Sequence, residues 1–263
     1  MTTTPSKNDN ENNNNDDEYD TKNVFPRPTS GLPEVAIVGR SNVGKSTLLN
    51  ALLYGDMDNN NSMNRRNRRR RTAQTSKLPR GVKAKTSSKP GETRSIDFYQ
   101  LSNNSSVNNR SKKKKKMSLL LVDFPGYGFA RGPKKERNKN VDINETYITD
   151  RPRSSLKRVL LLIDARHGMK QADVNIMVSL QNALSPKVPT ELPPLQIVLT
   201  KCDLVSQSDL ARRVIQVRQQ LSDCLIRQPK ILPEMLVSAQ MEGQLGVLEL
   251  QKELASLCGD GWR

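Results

Sequence analysis

The sequence predicts an α/β domain, a mostly parallel, doubly wound sheet of about six strands with helices on both faces. Three observations carry this. From residue 34 onward, short apolar runs alternate with stretches of helical periodicity, the pattern of strands joined by crossover helices. The first run leads through a glycine-bounded loop directly into an apolar helix face. The longest apolar run, Val159 to Ile163, suits a strand and is far short of the roughly 18 residues that span a membrane. No membrane span is therefore expected.

The elements follow in order. Glu34 to Val38 reads as a buried strand closing at Gly39, and Leu48, Leu49, Leu52 and Leu53 form one face of a short helix. A polar stretch at about 56–93 shows no periodicity. Ser95 to Leu101 and Met117 to Val122 read as strands joined by an expanded hairpin loop. Val159 to Ile163, Leu195 to Leu199 and Met235 to Val237 supply three more. Three helix faces lie among them: Ile176, Met177, Leu180 and Leu184; Leu210, Val214, Val217, Leu221 and Leu225; and Val247, Leu250, Leu254 and Leu257.

Composition divides the chain further. The 263 residues carry a net charge of +16, but the excess is local. Residues 65–94 hold twelve Lys/Arg and one Glu, and residues 110–116 hold six Lys/Arg, so the remaining chain is nearly neutral. Such runs are solvated loops that can also meet RNA phosphates, which demand only clustered cations. A nuclear-localisation role for Lys112 to Lys116 is a lesser option. Residues 1–31 read as a disordered, acidic, Asn-rich tail, 32–258 as the folded domain with basic inserts at about 56–85 and 102–116, and 259–263 as a short C-terminal tail. The tail has neither the apolar core of a signal peptide nor the basic, acid-poor character of a transit peptide. Cys202, Cys224 and Cys258 are odd in number and widely spaced. They form neither a disulfide framework nor a metal motif, which fits a reducing compartment.

The chemistry lies at strand ends. Gly39-Arg-Ser-Asn-Val-Gly44-Lys45-Ser46-Thr47 is GxxxxGK[ST], between a strand and a helix as a P-loop requires. Gly39, Asn42, Val43, Gly44, Lys45, Ser46 and Thr47 are the candidate phosphate contacts. Backbone N–H groups and the positive helix end face the anion, Lys45 supplies a cation, and the Ser46 hydroxyl supplies a Mg²⁺ ligand. Asp123-Phe-Pro-Gly126 ends a strand. Asp123 can reach Mg²⁺ directly or through water, and Gly126 lets a peptide N–H approach the γ-phosphate. Thr200-Lys201-Cys202-Asp203 is [NT]KxD after a strand. A carboxylate at Asp203 can accept from guanine N1–H and the 2-amino group, neither of which adenine offers in that geometry. The Lys201 stem can lie along the base, and Ser238-Ala239 can bring a backbone N–H to guanine O6. Thr93, before a strand, is the candidate switch threonine, binding Mg²⁺ only when a γ-phosphate is present. The order of the four motifs implies GTP and GDP as ligands with Mg²⁺. The sole histidine, His167, reads as a loop residue rather than a general base, and Cys202 as packing beside the base.

Pro33 to Leu52, Lys89 to Thr93, Val122 to Ala130 and Leu156 to Arg166 resemble the corresponding segments of EngB-type (YihA/YsxC-type) GTPases, of the translation-factor-related class. The resemblance covers about residues 32–258, interrupted by the basic inserts. It implies a Ras-like G domain that binds GTP and GDP, hydrolyses GTP slowly and assists assembly of the large ribosomal subunit. It places Asn42 to Thr47 on the phosphates, Ser46 and Thr93 on Mg²⁺ with Asp123 near it, and Thr200, Lys201, Asp203, Ser238 and Ala239 around guanine. The large subunit or its RNA is the implied partner, and a monomer is expected. Eukaryotic members are often organellar; with no transit peptide in view, the cytoplasm is the alternative. Glu92 stands where a basic residue is usual, and 133–144 lacks a tryptophan often found there. Tyr127 occupies the position at which a Ras-type site carries the water-orienting Gln, so no catalytic base is assigned. The competing reading is a basic RNA-binding assembly factor whose GTP site is structural and does not turn over.

Overall fold

The computed structural model describes residues 31–54, 96–102, 118–128, 143–183, 192–225, 231–239 and 244–258. Thr93, Glu92, both tails, most of the two basic inserts and residues 133–142 lie outside them. The strands are β1 (Glu34–Gly39), β2 (Asp97–Ser102), β3 (Ser118–Asp123), β4 (Leu156–Asp164), β5 (Leu195–Thr200) and β6 (Ile231–Leu236). They form one six-stranded sheet in the order β2-β3-β1-β4-β5-β6. Only β2 and β3 pair antiparallel; all other neighbours are parallel. The sheet thus has the predicted strand number and mostly parallel character.

The helices are α1 (Lys45–Tyr54), α2 (residues 143–150), α3 (Gln171–Ala183), α4 (Gln207–Cys224) and α5 (Val247–Ala255). Successive strand residues point to opposite faces, and the two faces build two cores. Val35 and Ile37 pack with Leu48, Leu49 and Leu52 of α1 and with Val247, Leu250 and Leu254 of α5. Ala36 and Val38 join Tyr147 and Ile148 of α2, Ile176 and Leu180 of α3, and Val217 and Leu221 of α4. All six residues of β1, β3 and β5 are buried, so these strands are near-continuous apolar runs rather than alternating ones. Ser206 caps α4, its hydroxyl accepting the Asp209 N–H.

Two strand starts and one helix depart most from the sequence expectation. β4 begins at Leu156 because Lys157 and Arg158 extend it. Arg158 is buried there, donating to Gln196 Oε1 at 3.0 Å and Glu253 Oε2 at 3.2 Å. β6 begins at Ile231 and carries Pro233, which is tolerated because β6 is an edge strand. α2 is unheralded by periodicity, with Tyr147 and Ile148 as its only buried apolar side chains. Arg151 ties it to β1 by an ion pair with Glu34, and the Tyr147 hydroxyl donates to the same carboxylate at 2.8 Å.

β1 lies between β3 and β4, and the chain leaves it first toward one side and then toward the other. Its C-terminal end is therefore a topological switch point, where α/β sheets bind ligands.

Candidate functional site: a phosphate loop facing a base-reading loop

The loop from Gly39 to Lys45 joins β1 to α1 at that switch point. Two of its residues hold left-handed backbone, Asn42 at φ 62° and Gly44 at φ 110°; the second is accessible to glycine at little cost. Leu48 N–H donates to Gly44 O at 2.9 Å as α1 starts. Ser46 and Thr47 stand half-buried in its first turn. The Lys45 ammonium folds back under the loop, donating to Gly39 O at 3.1 Å and Arg40 O at 3.2 Å. Burial pushes it down to about pKa 8, against the attraction of Asp123.

Asp123 ends β3 and is buried. Burial raises its carboxyl to about 6; Lys45 opposes the rise and Asp97 adds to it, the latter standing directly opposite in the β2–β3 register. Its Oδ1 is buried without a hydrogen-bond partner. An orphaned carboxylate oxygen beside the phosphate loop fits a hard cation or that cation's water. Among the described residues no group of three or more His, Cys, Asp or Glu could form a protein-only cage. Mg²⁺ needs none, since it is usually held by one or two protein oxygens with substrate phosphates and water.

Gly126 comes close to the phosphate loop. A Cβ there would lie 2.8 Å from Lys45 Nζ, 2.8 Å from Ser41 Oγ and 2.9 Å from Ser41 Cα. Ser41 N–H donates to Tyr127 O at 3.1 Å, locking the two segments together. Val43 is buried below the loop.

The second loop follows β5. The Thr200 hydroxyl donates to Val43 O at 2.6 Å. Lys201, left-handed at φ 59°, donates to Asn42 O at 2.8 Å and to Asp164 Oδ2 at 2.9 Å. Asp203 is exposed, and its N–H donates to the buried Ser238 hydroxyl at 2.8 Å. Ala239 packs half-buried beside Ser238. Thus Gly39 to Thr47, Asp123, Gly126, Thr200 to Asp203 and Ser238–Ala239 converge on one end of the sheet.

The family model described as 50S ribosome-binding GTPase matches residues 34–201. The "Probable GTP-binding protein EngB" of Caulobacter vibrioides is 33% identical over 233 residues, covering 89% of this chain and 78% of that protein. The chain belongs to the EngB family. The same-named protein of Nitrobacter hamburgensis is 34% identical over 90% of this chain and 84% of its own length. That of Levilactobacillus brevis is 35% identical over 74% of each. Membership makes the chain a GTP-binding protein and a GTP hydrolase. These relatives are bacterial, which gives the organellar expectation no support. Among the described residues no helix is long and apolar enough to cross a membrane.

Two features of this EngB chain go beyond the sequence reading. Asp164 closes β4 and is buried, accepting from Arg166 N, Nε and Nη2 at 3.0, 3.0 and 2.8 Å as well as from Lys201. Burial alone would raise its carboxyl, but Arg166 and Lys201 outweigh it and hold the group well below the usual range. The available signal was an acidic residue at a strand's C-terminal edge, as at Asp123. Tyr127 is the second. Its side chain is buried and its hydroxyl donates to Asp173 Oδ1 at 2.9 Å, so it faces inward and cannot orient an attacking water. Cys202 is buried, its thiol donating to Leu199 O at 3.1 Å, and His167 sits exposed in the loop after β4.

Proposed function

We propose that this chain is a guanine-nucleotide switch in assembly of the large ribosomal subunit, with slow intrinsic GTP hydrolysis. The single observation that carries the reading is the convergence of the phosphate loop, Asp123, Gly126 and the Thr200–Asp203 loop at one sheet end. Gly39 and Asn42 to Thr47 wrap the phosphates. Lys45 stabilises charge on the transferred γ-phosphoryl group. The exposed Asp203 carboxylate reads the guanine N1–H and 2-amino group. Thr200 and Ser238 act mainly through the loops they tie, and Ala239 closes over the base.

Ser46, and Asp123 directly or through water, would hold Mg²⁺, with Thr93 completing the set in the GTP state. Bound there, the ion would neutralise charge on the phosphates. Tyr127, turned away from the site, supports slow turnover that a ribosomal partner accelerates. The match to a family model described as a GTPase weighs against a nucleotide site that never turns over.

Sedimentation with purified large ribosomal subunits tests the proposal. Co-sedimentation should be several-fold greater with a non-hydrolysable GTP analogue than with GDP, and subunits should speed hydrolysis. Equal binding in both nucleotide states with no acceleration would overturn the switch reading.

A further inference from the structure

Asp173, in the first turn of α3, is a carboxylate with no exposed surface. A buried carboxylate persists only when paired and hydrogen-bonded, and its partners come from three separate segments. Arg40 Nε, from the phosphate loop, lies 3.0 Å from Oδ2 as an ion pair. The Tyr127 hydroxyl, one residue beyond Gly126, donates to Oδ1. Lys170 N–H, at the start of α3, donates to Oδ2 at 2.8 Å. Arg40 Nη2 also donates to Gly168 O at 3.2 Å.

The main chain repeats this connection. Arg40 and Tyr127 form a parallel bridge, and the Ser41 hydroxyl donates to Gly126 O at 3.4 Å. Gly126 is thus flanked on one side by the phosphate loop and on the other by a tyrosine anchored in the core. Any displacement of the Gly126 peptide must carry Tyr127 along or strip a donor from a carboxylate that water does not reach.

We propose that Arg40, Tyr127 and Asp173 are positioning residues, a buried clamp that sets the Gly126 peptide at the height a γ-phosphate requires. The inference rests on the guanine-nucleotide reading above. The residue after DxxG faces the core to fix its neighbour instead of facing the reacting phosphate. The cluster predicts an asymmetry that fold stabilisation alone does not: GDP has no γ-phosphate and makes no demand on Gly126, whereas GTP does.

Tyr127→Phe deletes one hydroxyl and keeps the ring. Affinities for GDP and for a non-hydrolysable GTP analogue, with kcat and KM, are measured on the full chain. GDP affinity should stay within about twofold while analogue affinity falls about tenfold to a hundredfold, the cost of one hydrogen bond to a charged group, and kcat should fall with it. Arg40→Gln, at a residue whose side chain is 19% exposed, should shift the ratio the same way and supplies the answer if the phenylalanine variant does not fold. A wild-type affinity ratio in the folded variants, whatever their melting temperatures, would overturn the proposal. Failure of the wild-type chain to bind GDP would remove the guanine-nucleotide reading and the proposal with it.

Discussion

Asp164→Asn should weaken both the fold and guanine-nucleotide binding, by amounts the geometry sets. The carboxylate joins the β4 end to the loop after β5: Oδ2 accepts from Arg166 Nη2 at 2.8 Å and from Lys201 Nζ at 2.9 Å. Lys201 reaches on to Asn42 O at 2.8 Å, so the same ammonium ties the base-reading loop to the phosphate loop. Hydrogen bonds to charged groups are worth about 1.5–3 kcal/mol each. Arg166 and Lys201 are 39% and 26% exposed, and solvent screening discounts both. An asparagine keeps the shape but removes the charge, for a net expected loss of about 1–2 kcal/mol in unfolding free energy at pH 7. Urea unfolding of the nucleotide-free chain reads it. With one of its two anchors gone, Lys201 should cost GDP affinity about tenfold, or ~1.4 kcal/mol. The pH dependence supplies a second check. The native carboxyl is held below its unfolded value of about 3.9. Its contribution is therefore complete above about pH 5 and is lost as pH falls through the native value. The variant should lack that part of the acid loss. Unchanged stability together with unchanged GDP affinity at pH 7 would refute the reasoning.

Other outcomes follow from the same geometry. Gly126→Ala places a Cβ 2.9 Å from the Ser41 backbone; GTP-analogue affinity should fall more than about tenfold with GDP affinity little changed, measured by competition titration. Because Asp123 is raised to about 6, Mg²⁺ should strengthen nucleotide binding fully at pH 7.5 and progressively less as pH falls below about 6. Titrations across pH should show this in the wild type and not in Asp123→Asn. Deleting residues 62–82 and 103–115 should leave GDP affinity nearly unchanged and flatten the salt dependence of any RNA binding, since that slope counts neutralised phosphates.

Apolar runs betrayed the central strands because both sheet faces are covered, and the loops after β1 and β5 stood out because their motifs fix residue types at short spacing. Features resting on distant pairs were not. Thr200 is a brace for Val43, 157 positions away, and a threonine in TKxD gives no hint whether it meets the base or the neighbouring loop. Arg158 and Asp173 look like surface residues in the sequence yet are buried, because Gln196 and Tyr127 arrive from elsewhere in the chain. The start of β6 was masked by Pro233 and Glu234, which an edge strand accepts. α2 shows too few apolar residues to display a period, and much of its attachment is the Glu34 carboxylate on β1.

Binding of a fluorescent GDP to the purified chain with Mg²⁺, followed by competition with unlabelled GTP and ATP, tests the central claim most directly. Saturable binding that GTP displaces and a hundredfold excess (~10²) of ATP does not is the predicted result. An absence of saturable binding, or equal displacement by ATP, would contradict the account.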